Sequence, residues 1–506
     1  MNKPTMSTTI FAPSKKMGMI VFLVILICGM GVRLFDLTDP PLDFAATRQL
    51  RSALIARGLY YPQAENAEEW QREMAEKQGK HSMIEPTILE TIVAVTYRIA
   101  GGEYVWIARI YSSFFWVLGG IALFFLVKDM VSTDGAYIAL TYYLFVPFGI
   151  VASRSFQPDP LMTALIVLSW WTFYRWYRTS TWKWALLAGV SIGAAMMVKS
   201  TAVFFLLIGF AVLVLSKEKI GKLIKDTQVW VIVFLSSVPV LVYHLYGVFV
   251  VGSLSQQFQG RFFPEMLREL KYYLRWKNAV GAVTGHELIF VAAILGLLYF
   301  VRKKELGFLL GIWIGYILYC LFFTYHITTH YYYHLPLIPL TAVLLAGLFE
   351  ILIKYLKSRA VIPLTRIGLG VILLVGMGGG YYMLQNDDYR NEAHFYKKVA
   401  DFVGHESKVV ALSQDYGNRI AYFGWIKPKP WKSGENIDQA PVLDSEMDQF
   451  EEYFREYTAG YDYFLITRIS ELHRQEQLDN FLNENFDILE EGGGYIIFDL
   501  NKELDS

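Results

Sequence analysis

The chain has 506 residues, of which 54% are apolar and 16% aromatic, and its formal net charge is zero. That composition excludes an ordinary soluble enzyme and points to a protein dissolved largely in lipid. The zero charge hides an asymmetry: from Asn386 onward acids outnumber bases by about thirteen, so the apolar part before it carries the balancing Lys and Arg.

Lys15 and Lys16 precede an apolar run that reaches Phe35 without a small-x-small cleavage site, and Ile27 before Cys28 does not suit a lipoprotein site. The run is therefore expected to remain as a first span. A spanning helix needs about 20 largely apolar residues, and about eleven stretches approach that length. They are 17–36, 104–127, 136–152, 160–176, 184–198, 201–215, 229–251, 288–301, 306–324, 335–356 and 367–383. The stretch 87–99 is apolar but too short to cross, and is expected to lie in the interface. Every second loop then becomes basic: Lys128; Arg175, Arg178 and Lys183; Lys217, Lys219, Lys222 and Lys225; Arg302, Lys303 and Lys304; Lys354, Lys357, Arg359 and Arg366. The positive-inside bias places the N-terminus in the cytoplasm of a multi-pass cell (plasma) membrane protein. It places residues 37–103, the loop around Asp159 and the tail from Asn386 outside.

In the first outer loop, 44–57 has helical spacing of Ala46, Leu50, Ala53 and Leu54 with Arg48, Arg51 and Arg57 interleaved, which suits a helix in the headgroup layer. Residues 64–78 form a polar helical stretch. The tail alternates β-rich runs (408–412, 461–467, 495–500) with helical ones (445–457, 470–483), the pattern of a small soluble α/β domain. The expected division is thus 1–385, a polytopic α-helical membrane domain, and 386–506, an outer α/β domain with no Gly-rich phosphate loop and no Cys/His metal spacing. Cys28 and Cys320 both lie in apolar stretches and define no disulfide framework.

Ionisable residues inside a membrane are costly and usually face a cavity or a functional site. Arg33, Arg109, Lys199 and His244 all fall toward the outer face, which favours an outward polar cavity. Taken singly, Arg33 can pair with Asp36 and Lys199 can snorkel. Asp43 follows Pro40 and Pro41, and Asp159 sits in the Gln157-Pro158-Asp159-Pro160 turn. Each suits a helix N-cap as well as a catalytic carboxylate, and the pattern leaves both open. The cluster His326, His330, Tyr331, Tyr332, Tyr333 and His334 reads either as an interfacial aromatic belt or as a wall that stacks on a sugar and hydrogen-bonds its hydroxyls or phosphate. Its histidine spacing is the one hint of a divalent metal, and no Asp or Glu accompanies it.

This order of features resembles the GT-C superfamily of membrane glycosyltransferases, in the group of protein O-mannosyltransferases and the lipid A aminoarabinose transferase (glycosyltransferase family 39 type). The residues that carry the resemblance are Asp43 opening an amphipathic helix to Arg57, Glu85-Pro86 before an interfacial helix, and Arg154 to Pro160 in the second outer loop. Val198-Lys199-Ser200-Thr201 in a paired-helix turn and the His/Tyr segment ending in Leu335-Pro336-Leu337-Ile338-Pro339 complete it. The resemblance covers the chain to about Leu356. It implies a polyprenyl-phosphate sugar donor, no nucleotide, and transfer with inversion to an acceptor hydroxyl on a lipid, glycan or protein. Nucleic acid is not an expected partner. Carried over, Asp43 looks like the general base and Asp159 like a second carboxylate orienting acceptor or sugar. Lys199, Arg154 and Arg48 look like the groups that stabilise the departing phosphate. Glu85, His330, Tyr332 and His334 are further candidate substrate-binding residues. Two positions depart from the pattern: Asp43 is followed by Phe44 where many relatives have a second acid, and Glu85 stands where the aminoarabinose branch has Lys. A polytopic transporter or lipid flippase is the alternative for a chain with this many spans, but its sites usually lie at mid-membrane between repeats, and no repeat is visible here.

Overall fold

The computed structural model describes residues 9–80, 84–252, 254, 261–356, 361–386, 388–433 and 447–503. Lys357, Arg359 and the start of the predicted helical stretch 445–457 lie outside the described residues. In chain order the first helices are α1 (Lys15–Arg33), α2 (Ala46–Tyr60), α3 (Glu69–Gly79), α4 (Ile88–Ala100), α5 (Val105–Met130), α6 (Thr133–Phe145), α7 (Pro147–Ala152), α8 (Pro158–Thr179) and α9 (Trp182–Val198). They are followed by α10 (Val203–Leu215), α11 (Ile220–Leu223), α12 (Thr227–Phe249), α13 (Leu270–Thr284), α14 (Glu287–Leu295), α15 (Glu305–Phe322), α16 (Thr324–Thr329), α17 (Leu337–Leu356) and α18 (Val361–Asn386). The remainder runs α19 (Arg390–Val403), β1 (Val409–Leu412), α20 (Asn418–Gly424), β2 (Lys429–Pro430), α21 (Met447–Thr458), β3 (Tyr463–Ile466), α22 (Ile469–Leu472), α23 (Glu476–Asn485), β4 (Phe486–Gly492) and β5 (Tyr495–Glu503).

All eleven predicted apolar stretches are helical. Among the described residues six helices are long and apolar enough to cross a membrane, and α13 with the helical stretch after it, bent by 82°, would make a seventh. Of the others, α8 is 22 residues long but less apolar, and the rest are shorter or interrupted. The predicted 136–152 span breaks at Val146, which is extended (φ −62°, ψ 124°) because Pro147 disfavours helical backbone in the residue before it.

The chain divides into two compact units. One comprises Met1–Leu37, Ser82–Leu89 and Trp106–Asp387; the other comprises Thr38–His81, Glu90–Val105 and Asp388–Ser506. A cut by composition falls once, at residue 385, whereas the compact units group most of the long first loop with the C-terminal region.

Lipid tails are as apolar as leucine, so the helices of the first unit cannot rely on a hydrophobic drive and associate through close backbone approach. A Cβ placed on Gly311 of α15 would stand 2.7 Å from the Gly209 Cα of α10, so these two backbones touch. A second contact involves α12, which carries Pro239 in its interior. Pro239 has no N–H to return to the Leu235 carbonyl. Gly193 of α9 lies directly against that oxygen, where a Cβ would be 2.5 Å away.

In the second unit the five strands form one sheet in the order β2-β1-β3-β5-β4. β1 pairs in parallel with β2 and β3, while β5 pairs antiparallel with β3 and β4. β1 reads Val-Val-Ala-Leu, a continuous apolar run, because both faces are covered. Val410 and Leu412 pack with Phe450, Phe454, Phe464 and Phe481 on one face. Val409 and Ala411 pack with Tyr396, Val399, Ile420 and Ile497 on the other.

Candidate active site

In the first unit the polar residues gather at the end of α8. Pro158 and Pro160 fix the first turn, and Gln157, not Asp159, is the residue at the N-cap position. The capping role expected for Asp159 is therefore not the one it has. Its carboxylate points inward and is fully buried, with Oδ1 accepting from the Lys199 ammonium at 2.8 Å. Lys199 reaches it from the extended C-cap of α9 (φ −158°, ψ 118°), so it does not snorkel to water. Its ammonium lies 4.5 Å from the ring centre of Tyr333 and 5.4 Å from that of Tyr332. The predicted tyrosine wall thus meets the predicted cation, as a cation–π contact.

Among the described residues Asp159 Oδ2, both side-chain polar atoms of Gln157 and the Thr163 hydroxyl are buried without a hydrogen-bond partner. Buried polar groups are nearly always satisfied, so three such residues within the first turns of one helix mark a place that a hydroxyl-bearing ligand or water completes. Gln157 and Thr163 were not singled out from sequence; the only available signal was that two polar side chains flank Asp159 at the head of an apolar helix.

The arginines nearby have a different occupation. Arg154 donates to the Phe35 carbonyl and, at 2.6 Å, to the Asp36 carbonyl, and Arg109 donates to the Asp36 carbonyl at 3.0 Å. Arg33 donates to Ser153 Oγ and to the Gly29 carbonyl, each at 2.6 Å. These cations sit at the C-terminal end of α1, where carbonyls and the helix dipole favour positive charge. His334 is fully buried, with Nε2 3.0 Å from the Ile327 carbonyl and Nδ1 2.8 Å from the Tyr316 hydroxyl. Both ring nitrogens are committed inside the protein. His330 is half-buried, with Nδ1 2.7 Å from the Thr329 hydroxyl, and its ring centre is 5.4 Å from that of His326. Glu85 is half-buried in the turn before α4. His244 lies within α12, Nδ1 2.9 Å from the Val240 carbonyl. Among the described residues no three His, Cys, Asp or Glu side chains come together as a metal site.

An apolar cavity of about 440 Å³ opens between α8, α9, α10 and α12, lined by Phe173, Trp176, Met196, Val203, Phe210 and Ile232 among others. Met196 and Val203 flank Lys199 in the chain.

In the second unit Asp43 is half-buried and stands before α2. Here too the expected cap is elsewhere: α2 begins at Ala46, and its N-cap residue Ala45 is in the left-handed region (φ 46°). Gln49, in the first turns of α2, folds back so that Nε2 donates to Asp43 Oδ1 at 2.9 Å and to the Phe44 carbonyl at 2.7 Å. Gln49 thereby helps to orient the carboxylate through a neutral donor. Arg48 is half-buried on the same turn. Arg57, expected to face headgroups, is buried and forms an ion pair with Glu103 at 3.0 Å. Burial acts to lower its pKa, but Glu103 and Tyr422 more than reverse this, and the guanidinium pKa ends above its ordinary value.

The long apolar helices are those of a multi-pass membrane protein, and the likeness of the whole fold to solved structures gives it the GT-C architecture. Two solved structures show the same fold over nearly the whole chain. ArnT from Cupriavidus metallidurans in the apo state gives a TM-score of 0.64 at 13% identity, covering 96% of this chain and 98% of that one. The same protein bound to undecaprenyl phosphate gives 0.62 at 13% identity over the same shares. Residues 85–243 match the family described as dolichyl-phosphate-mannose-protein mannosyltransferase. Among curated proteins nothing matches. The GT-C resemblance read from the sequence therefore holds for the fold.

Proposed function

We propose that this protein transfers a sugar from a polyprenyl-phosphate donor to a hydroxyl of a lipid, glycan or protein acceptor at the outer face of the cell membrane, with inversion at the anomeric carbon. The observation that carries the reading is the buried Lys199–Asp159 pair beneath Tyr332 and Tyr333, inside the segment that matches the mannosyltransferase family. Such a desolvated pair is costly to build and is most readily explained where a charged ligand uses it. The structural likeness to a protein solved with undecaprenyl phosphate supports the lipid-phosphate donor. The apolar cavity below the Lys199 turn suits a length of its hydrocarbon chain.

In this reading Lys199 stabilises the phosphate as it leaves with the electron pair of the C1–O bond, and Arg48 supplies further positive charge. Asp159, Gln157 and Thr163 hydrogen-bond sugar hydroxyls, which would satisfy their buried polar atoms. Asp43 accepts the proton of the acceptor hydroxyl, whose oxygen forms the new bond to C1. Glu85 and His330 line the acceptor or sugar path. The basic-loop bias supports an outer placement of the C-terminal region with the N-terminus inside. The test is incubation of the purified protein with a panel of polyprenyl-phosphate hexoses and pentoses, reading release of polyprenyl phosphate. No release from any donor, with or without acceptor lipid, would refute the reading.

A further inference from the structure

One stretch of the C-terminal region, Asp415–Trp425, holds α2 at both ends. At the start of α2 the Thr47 hydroxyl donates to Asp415 Oδ1 at 2.5 Å. The other oxygen of Asp415 accepts from Arg419 Nε at 2.6 Å, and Arg419 is itself tied to Glu392 at 2.8 Å. Toward the end of α2, Arg57 donates to the Tyr422 carbonyl at 2.8 Å, and its guanidinium lies 4.4 Å from the Tyr422 ring centre and 4.0 Å from that of Trp425. Gln78 adds a bond to the Ala421 carbonyl at 2.8 Å.

The two ends of this stretch share an unusual backbone. Asp415, Tyr416 and Gly417 are in the left-handed region (φ 52°, 56° and 82°), as is Trp425 (φ 55°). Residues other than glycine stay there only where their surroundings dictate it, and such positions concentrate at functional sites. Asp415 also follows the C-terminal end of β1, a parallel strand, which is the edge where open α/β sheets place their working residues.

We propose that Asp415 is a positioning residue for the proposed reaction: through Thr47 it fixes the first turn of α2, and through Gln49 of that turn it fixes the carboxylate of Asp43. The proposal rests on the reading of Asp43 as the base. Arg57 anchors the end of α2, and the Ser52 hydroxyl, which donates to Glu90 at 2.7 Å, anchors its middle. Thr47 lies about 15 Å along the helix from Arg57 by helical rise, and its bond to Asp415 acts on the first turn itself. A merely adhesive role for the C-terminal region needs only the Arg57 end.

The experiment uses the full-length protein and four variants. Thr47→Val removes only the hydroxyl, Thr47→Ser keeps it, Asp415→Ala removes its acceptor, and the double variant Thr47→Val/Asp415→Ala removes both. Expected is a fall in kcat of about tenfold to a hundredfold in Thr47→Val, the cost of a misplaced reacting group, with the KM for donor unchanged. Thr47→Ser should restore kcat, and the double variant should be no worse than Asp415→Ala. Hydrogen exchange of the backbone amides at residues 46–49 should speed up in Thr47→Val while the melting temperature stays within a degree or so of wild type. Wild-type kcat and unchanged exchange in Thr47→Val, or losses that multiply in the double variant, would overturn the proposal. Asp43→Asn is assayed alongside. If it keeps wild-type turnover the base reading fails, and the proposal then stands or falls on the exchange result alone.

Discussion

Lys199 meets Asp159 at 2.8 Å with 5% and 1% of the two side chains exposed, across 40 residues of sequence. Breaking such a pair leaves a buried charge without compensation, at about 3–5 kcal/mol, whereas replacing both partners is far less damaging. Lys199→Met should therefore lower the melting temperature of the detergent-purified protein more than the double variant Lys199→Met/Asp159→Leu does. A thermal-unfolding double-mutant cycle measures this. Losses that simply add would show that the two side chains are not coupled.

The same cation is predicted to serve the donor. Lys199→Ala should weaken binding of polyprenyl phosphate by at least tenfold, about 1.4 kcal/mol, the lower range for a charge-assisted hydrogen bond. Isothermal titration or native mass spectrometry of the folded variant reads it directly. Unchanged affinity would leave Lys199 as the counter-charge of Asp159 and nothing more.

Asp43→Asn should lower turnover by about 10²–10⁴-fold, the usual contribution of a general base. Asparagine keeps a side-chain oxygen that can accept the Gln49 amide bond, so the fold should be retained. Turnover and melting temperature are measured on the same preparation. A folded Asp43→Asn protein with normal transfer would move the base assignment to another carboxylate.

Arg57→Met should cost about 3–5 kcal/mol, because Glu103 is left buried without its cation and the Tyr422 carbonyl loses the Arg57 donor. The pKa of Arg57 is raised on folding above an already very high ordinary value, so its contribution is complete below that ordinary value and is lost only as pH rises through the higher folded one. Between about pH 6 and pH 9 the Arg57 charge therefore introduces no pH dependence of its own. Differential scanning measurements at both ends of that window test it.

Orientation is tested by a single cysteine at the exposed Glu484, with Cys28 and Cys320 replaced. An impermeant thiol reagent should label Glu484→Cys in intact cells. Labelling only after permeabilisation would invert the topology and with it the outer location of the proposed chemistry.

Much of the helical framework was legible because hydropathy is a local property: each of the eleven apolar stretches is helical, and 87–99 corresponds closely to α4. The site was legible residue by residue but not as contacts. Asp159 and Lys199 were both singled out, yet nothing in a 40-residue separation says that they touch. The capping expectation failed at both carboxylates for local reasons. At Asp43 the helix starts only after Ala45 has turned left-handed, and at Asp159 the helix starts at Pro158, two residues earlier than a cap at Asp159 requires. Arg57 was misread because its partners at residues 421–425 lie some 364 positions away and supply the burial that its own helix does not. In the C-terminal region the hydrogen bond between Asp415 and Thr47 spans 368 positions, and no residue type in the sequence announces it.

The Leu235 carbonyl bears on how the chain is assembled. In hydrocarbon an oxygen without a donor costs several kcal/mol, and α12, whose surface is largely lipid-exposed, would carry that cost if it left the translocon alone. The Gly193 backbone can approach that oxygen because no Cβ intervenes, a C–H···O contact worth about 0.5–1 kcal/mol that exists only when α9 is already beside α12. Synthesis delivers α9 first, so α12 meets a waiting neighbour, and a bulkier residue at 193 would be felt during insertion, before any folded protein exists to be destabilised.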